Sequence, residues 1–214
     1  MDDSFAVADA AGHPITPAVL MAAYHTRCFP MARGRDGSIE WYRPQKRAVI
    51  LWDDWHCPRS LIKRWRRQPY RLSLDAAFPD VIEACADRRD TWISHDLQAL
   101  YCAMHRLGLG HSCEAWDEHG HLVGGLYGLA VGGCFCGESM FHIAPDAAKL
   151  CVMYLVHLLR RNGFSLLDCQ QQTSHMQRFG AREISDHAYA EILASCRNSK
   201  CVLEASTSPS PDWY

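Results

Sequence analysis

The chain has 214 residues, a formal net charge of −2 and 48% hydrophobic residues, enough to fill the core of one medium domain or of a larger domain with a small one attached. A charge so near zero excludes bulk attraction to a polyanion, so any nucleic-acid contact has to come from a local patch. No apolar run approaches the roughly 20 residues of a membrane helix, and the eleven cysteines, odd in number and with no charged-then-apolar leader ahead of them, are expected to be reduced thiols in the cytoplasm rather than a secreted disulfide framework.

Residues 1–12 are small and polar with little pattern, and residues 206–214 are a Ser/Pro-rich tail; both ends are expected to be mobile. Thr16 as N-cap and Pro17 at the first helical position predict a short helix over residues 16–27. Phe29-Pro30 opens an extended region, 34–37 reads as a turn, and short strands are expected over 39–42 and 48–51, around the Pro44 turn. These elements make residues 1–62 a small N-terminal domain, ahead of a larger one over 63–205. The basic cluster comes next: Arg59, Lys63, Arg64, Arg66, Arg67 and then Arg71, with Trp65 and Tyr70 between them. The spacing suits a helix with several cations on one side. Two readings stand, a solvated helix face at a domain junction and a surface that follows RNA phosphates.

Residues 71–74 read as a strand and 79–88 as a helix. Ser94 is placed to cap a helix over 96–107, which Gly108 and Gly110 end. A strand over 111–116 and a turn over 117–120 lead to the most informative stretch. Residues 122–131 and 134–141 are rich in strand formers and flank Gly132-Gly133, a pair able to take the positive φ of a tight hairpin turn. Pro145-Asp146 opens a helix over 147–161, with Arg160 and Arg161 at its negative end and Gly163 beyond. The apolar run 164–167 reads as a strand that ends in Asp168-Cys169-Gln170. A loop over 171–174, a short helix over 175–179 and a last helix over 186–196 complete the chain. From residue 71 the order is strand, helix, helix, three strands, helix, strand, helix: a mixed α/β layer rather than an alternating doubly wound sheet.

Strand alternation puts Asp168 and Gln170 on one side and Cys169 on the other, while Glu138 lies inside an otherwise apolar strand. Ionisable groups rarely stay buried without a partner or a task. Asp168 bridging a turn and Glu138 paired with a buried arginine is one reading; a reaction centre is the other. Cys134 and Cys136 form a CxC with no second Cys/His pair at zinc-finger spacing, so buried thiols and no metal are expected. No nucleophile-elbow serine pattern calls for a covalent intermediate.

Phe29-Pro30-Met31, Trp41-Tyr42-Arg43-Pro44, Gly124-Gly125-Leu126-Tyr127-Gly128, Phe135-Cys136-Gly137-Glu138-Ser139-Met140-Phe141 and Leu167-Asp168-Cys169-Gln170 together resemble the leucyl/phenylalanyl-tRNA-protein transferases. The resemblance covers about residues 26–193. It implies an α/β fold, with an N-acyltransferase-like (GNAT-like) mixed sheet beside a small N-terminal domain. It also implies an aminoacyltransferase, monomeric and free of membranes, that moves Leu or Phe, or Met, from aminoacyl-tRNA to proteins beginning with Arg or Lys and so marks them for degradation. Asp168 would then be base or electrostatic partner of the attacking amine, and Gln170 would pass or orient the proton. Glu138 would hold the acceptor's basic residue or orient Gln170. Trp41, Trp92, Tyr101 and Phe135, with Met140 nearby, would form the apolar recess and stacking surface. The basic cluster would contact the tRNA.

No cofactor is implied. The junction over 141–146 has no glycine, contains a proline and adds a carboxylate, unlike the pyrophosphate loop of acetyl-CoA-dependent relatives of that fold. Other departures are plain. His142-Ile143 stands where the family usually has Ser-Arg, Asp146-Ala147-Ala148-Lys149 for Asp-Ala-Ser-Lys, Thr173-Ser174-His175 for Thr-Pro-His, and Glu183-Ile184-Ser185-Asp186 for Glu-Ile-Pro-Arg. They keep two alternatives open: a catalytically idle module that binds tRNA or basic N-termini, and a related acyltransferase with another donor.

Overall fold

Thr16 and Pro17 start the first helix where their chemistry predicts. In the computed structural model, which describes residues 7–205, α1 (Pro17–His25) begins with Thr16 Oγ1 accepting from the amide of Val19 at 3.3 Å. Next come β1 (Phe29–Ala32), β2 (Ile39–Tyr42), β3 (Lys46–Leu51), α2 (Arg59–Trp65), β4 (Arg71–Leu74), α3 (Phe78–Ala86), α4 (His95–Arg106) and β5 (Gly110–Trp116). The second half holds β6 (Leu122–Val131), β7 (Cys134–His142), α5 (Ala147–Arg161), β8 (Leu166–Gln170), α6 (Ser174–Gln177), β9 (Arg182–Ser185) and α7 (Asp186–Cys196).

The fold is mixed α/β. β1 and β2 pair as a small antiparallel sheet, and the other strands form a seven-stranded sheet in the order β4-β5-β6-β7-β8-β3-β9. Its pairs are antiparallel except β7 and β8, which are parallel because α5 carries the chain back between them. One face is covered by α1, α3, α4 and α7, the other by α2, α5 and α6. α5 is buried almost all round, as a helix apolar on every side must be.

Two expectations are corrected. Residues 48–51, assigned by sequence to the small N-terminal domain, belong to β3 inside the large sheet, between β8 and β9. Ala48, Val49 and Ile50 are all buried, and a strand apolar on consecutive positions needs cover on both faces, which a two-stranded sheet cannot give. Residues 7–12 are also not loose. Val7 is buried, its carbonyl accepts from the amide of Ile15 at 2.8 Å, and the amide of Ala10 donates to Ile39 at 2.8 Å. Residues 1–6 and 206–214, the rest of the ends expected to be mobile, lie outside the described residues.

The hairpin between β6 and β7 turns at Gly132, whose φ is +59° and whose place no side chain could share, since a Cβ there would lie 2.5 Å from the carbonyl oxygen of Arg197. Among the described residues no helix is long and apolar enough to cross a membrane.

Candidate active site

The large sheet splits where its one parallel pair ends. β7 and β8 pair only from Cys134 with Leu166 to Cys136 with Asp168. Beyond that point β7 continues along β6 as far as His142, while β8 stops at Gln170, held at φ +59°. A wedge opens between the strands. It holds a cleft of about 370 Å³ that reaches both faces of the sheet, with Trp92 and Glu138 on the α4 side and Val152 and Leu155 on the α5 side.

Asp168 sits at the apex, fully buried. Arg47 of β3, itself 2% exposed, donates from Nε to both carboxylate oxygens at 3.1 and 3.0 Å. Its Nη2 lies 2.8 Å from Oδ2 as an ion pair rather than an aligned hydrogen bond. Tyr189 of α7 donates its hydroxyl to Oδ2 at 2.7 Å, and the amide of Gln170 donates to Oδ1 at 2.8 Å. The guanidinium is sandwiched between the rings of Phe29 and Tyr189, 4.8 and 5.0 Å from their centroids. Burial works against the Arg47 charge, but the Asp168 carboxylate more than offsets it and holds the pKa above the ordinary arginine value. Asp168 is thereby paired and its oxygens are occupied.

Glu138 is placed by a bulge. Tyr127 pairs with Ser139 and Gly128 with Gly137, so Glu138 is the extra residue of β7, and the distortion aims its side chain into the cleft. It is half-buried, and Tyr24 of α1 and Tyr101 of α4 donate hydroxyls to its two oxygens at 2.6 and 3.0 Å. Its pKa is raised to about 7: burial is the largest push, the tyrosines and Gln170 pull against it, and the charge of Asp168 adds to it. Gln170 Nε2 is buried and close enough to Glu138 to have that effect, yet it lacks a hydrogen bond of good geometry. A carboxyl that titrates near neutrality beside an unsatisfied amide donor can take a proton from an amine and return it.

Three comparisons with known proteins bear on this site. A family model described as leucyl/phenylalanyl-tRNA protein transferase matches residues 49–194. A protein named leucyl/phenylalanyl-tRNA-protein transferase from Rubrobacter xylanophilus is 46% identical over 180 residues, covering 84% of this chain and 94% of its own. Those of the same name from Stutzerimonas stutzeri and Pseudomonas entomophila are 46% and 47% identical, each covering 86% of this chain and 83% of its own. The chain belongs to the leucyl/phenylalanyl-tRNA-protein transferase family. A solved structure described as L-PGS from Bacillus licheniformis aligns with a TM-score of 0.42 at 12% identity, over 72% of this chain and 51% of that one, a likeness too slight to build on.

The residues that resemblance to the transferase family singles out are not all in one place. Glu138, Trp92 and Met140 line the cleft, and Asp168 contributes to its wall while its carboxylate turns to Arg47. Tyr101 is buried behind Glu138 as one of its two donors. Phe135 is fully buried on the α5 side, edge-on to Phe164 at 6.5 Å, and is not part of the cleft wall. Trp41 belongs to the small sheet and donates to Asp9 at 3.3 Å. In the basic cluster, exposed Arg59, Lys63, Arg66 and Arg67 surround a shallow depression on α2. Arg64 and Arg71 instead lie over the rings of Tyr70 and Trp116, at 5.9 and 5.1 Å.

Sequence reasoning missed Arg47, Tyr189 and Tyr24. Arg47 did leave a signal, a cation directly abutting the apolar run Ala48-Val49-Ile50-Leu51, one residue nearer to it than Lys46. Cys134, Cys136 and Asp168 offer ligand atoms within 4.8 Å of one another, but they suit a metal poorly. Asp168 is committed to Arg47 and Tyr189, and the Cys136 thiol is pushed well up by its hydrogen bond with the Cys134 thiol and by burial, whereas a metal needs thiolates.

Proposed function

We propose that this protein transfers Leu or Phe, and by the same apolar recess Met, from aminoacyl-tRNA to the N-terminal Arg or Lys of acceptor proteins, marking them for degradation. The observation that carries the reading is Glu138, a carboxyl with a pKa of about 7 set by a bulge at the mouth of an apolar cleft, in a chain of the transferase family. An α-amino group has a pKa of about 7.7–8.0, so a base near 7 is matched to remove its proton without holding it too tightly.

The amine nitrogen attacks the ester carbonyl, and its excess proton passes to Glu138. When the tetrahedral intermediate collapses, the carbonyl to ribose-oxygen bond breaks and Glu138 returns the proton to that oxygen, leaving a new peptide bond and a free tRNA end. Gln170 Nε2 orients Glu138 or steadies the intermediate. Of the two roles open to Asp168, its contacts favour the electrostatic one: it fixes the end of β8 by accepting from Gln170 and adds negative charge behind Glu138. Arg59, Lys63, Arg66 and Arg67 are the tRNA contacts we favour, since they share one exposed depression. We also take the large sheet to be N-acyltransferase-like, a reading that the wedge at the parallel pair supports.

The test is radiolabelled leucyl-tRNA with an Arg-initiated peptide, beside a CoA-thioester donor. Labelled peptide from the tRNA donor alone is expected. Label from the thioester, or binding of tRNA without transfer, would replace the reading with one of the two alternatives.

A further inference from the structure

Met140 lines both the cleft and an adjoining basin of about 570 Å³ formed by His142, Asp146, Lys149, Ser174, His175 and Arg178. These residues come from the end of β7, the start of α5 and the short α6. Lys149 Nζ is 2.7 Å from Asp146 Oδ1, so those two charges cancel. What remains is cationic. Arg178 is exposed and has no ion-pair partner among the described residues. His175 also lines the basin, and its Nε2 is buried without a hydrogen-bond partner. Burial, and then the charges of Lys149, His142 and Arg178, push the His175 pKa down, and Asp146 only partly opposes them. A guanidinium, two imidazoles and the Ser174 hydroxyl are the donor types that bind phosphate oxygens. The reaction at Glu138 uses none of them.

We propose that this basin holds a phosphodiester at the 3′ end of the donor RNA, with Arg178 and His142 as its main contacts. The phosphate that precedes the terminal ribose is only one nucleoside away from the ester, so its site has to adjoin the cleft, and the basin does so at Met140. A free phosphate has no reason to sit in line with the cleft; a phosphate tethered to the ester does. His142 stands where the family usually has Ser, so this chain brings its own imidazole to the rim. The inference rests on the aminoacyl-tRNA reading above.

The experiment compares two minimal donors, leucyl-adenosine and the leucyl ester of cytidylyl-adenosine, which differ by a phosphodiester and the cytidine it carries and are both too short to reach α2. Wild type is expected to use the dinucleotide ester about tenfold better in kcat/KM, equivalent to ~1.4 kcal/mol. The ratio should fall towards one in Arg178→Ala and in His142→Ala, both exposed positions, and recover in part in Arg178→Lys. Inorganic phosphate should raise KM for the dinucleotide ester and not for leucyl-adenosine. A ratio near one in wild type, a ratio that survives Arg178→Ala with His142→Ala, or equal inhibition of both donors by phosphate overturns the proposal. If leucyl-tRNA is not used either, the aminoacyl-transfer reading itself fails; if leucyl-tRNA works and the two esters are equal, the phosphodiester site alone fails.

Discussion

Asp168 and Glu138 lie on neighbouring strands, both carboxylates set in apolar layers of one sheet, yet the molecule treats them in opposite ways. Asp168 meets a full positive charge, Arg47, and becomes part of the scaffold. Glu138 meets only neutral donors, Tyr24 and Tyr101, and is left with a proton affinity near neutral pH. Burial alone decides neither outcome. A charged partner turns a buried acid into an anchor, and hydroxyl partners leave it able to exchange a proton.

The largest effect should come from breaking the anchor. Arg47→Met leaves Asp168 buried and unpaired, and should cost about 3–5 kcal/mol in denaturant unfolding. Adding Asp168→Leu to that variant should restore much of the stability without restoring transfer; full activity in the double variant would remove Asp168 from the reaction. Next, Glu138→Gln should lower kcat by about 10²–10⁴ while the protein stays folded.

The same substitution tests the pH dependence. Wild-type kcat/KM should rise with pH through about 7 as Glu138 loses its proton. Its folded pKa lies above the ordinary 4.5, so the folded state binds the extra proton, and wild type should lose stability as pH climbs from about 4.5 to 7. The Gln variant should show neither change. Smaller again, Tyr24→Phe or Tyr101→Phe removes a donor that holds the Glu138 pKa down, so the activity profile should move to higher pH. An unmoved profile would mean that the hydroxyls only pack.

Far from both acids, alanine at Arg59, Lys63, Arg66 and Arg67 should weaken tRNA binding and flatten its log-log salt dependence by about 0.9 for each phosphate that is no longer neutralised. A slope unchanged by all four substitutions would return α2 to a solvated helix face. The smallest effect belongs to the exposed pair of Lys46 and Glu183, 3.3 Å apart, where Lys46→Ala should cost about 0–1 kcal/mol.

Much of the element order is local chemistry, and for that reason it is legible in the chain. Ser94 Oγ accepts from the amide of Leu97 and Ser185 Oγ from that of Ala188, each three residues on, so a helix start needs no information from elsewhere. The edge strand β9 escaped notice because Arg182–Ser185 is short and largely exposed; it is a strand because β3 offers it an open edge. The alternation rule held in β8, where Cys169 packs towards α5 while Asp168 and Gln170 turn to Arg47 and Glu138 on the other face. What it does not foresee is the register, which slips at Cys169 in β8 and at Glu138 in β7. Both slips fall beside the cleft.

The sequence by itself determined the order of helices and strands apart from β9, pointed to the family and singled out the two acids, because caps, turns and motif strings act over a few residues. Which acid stays free was decided only by folding. Arg47 is 121 residues from Asp168 and Tyr24 is 114 from Glu138, and a carboxylate's proton affinity depends on what the chain brings to within a hydrogen bond of it, which no local pattern encodes.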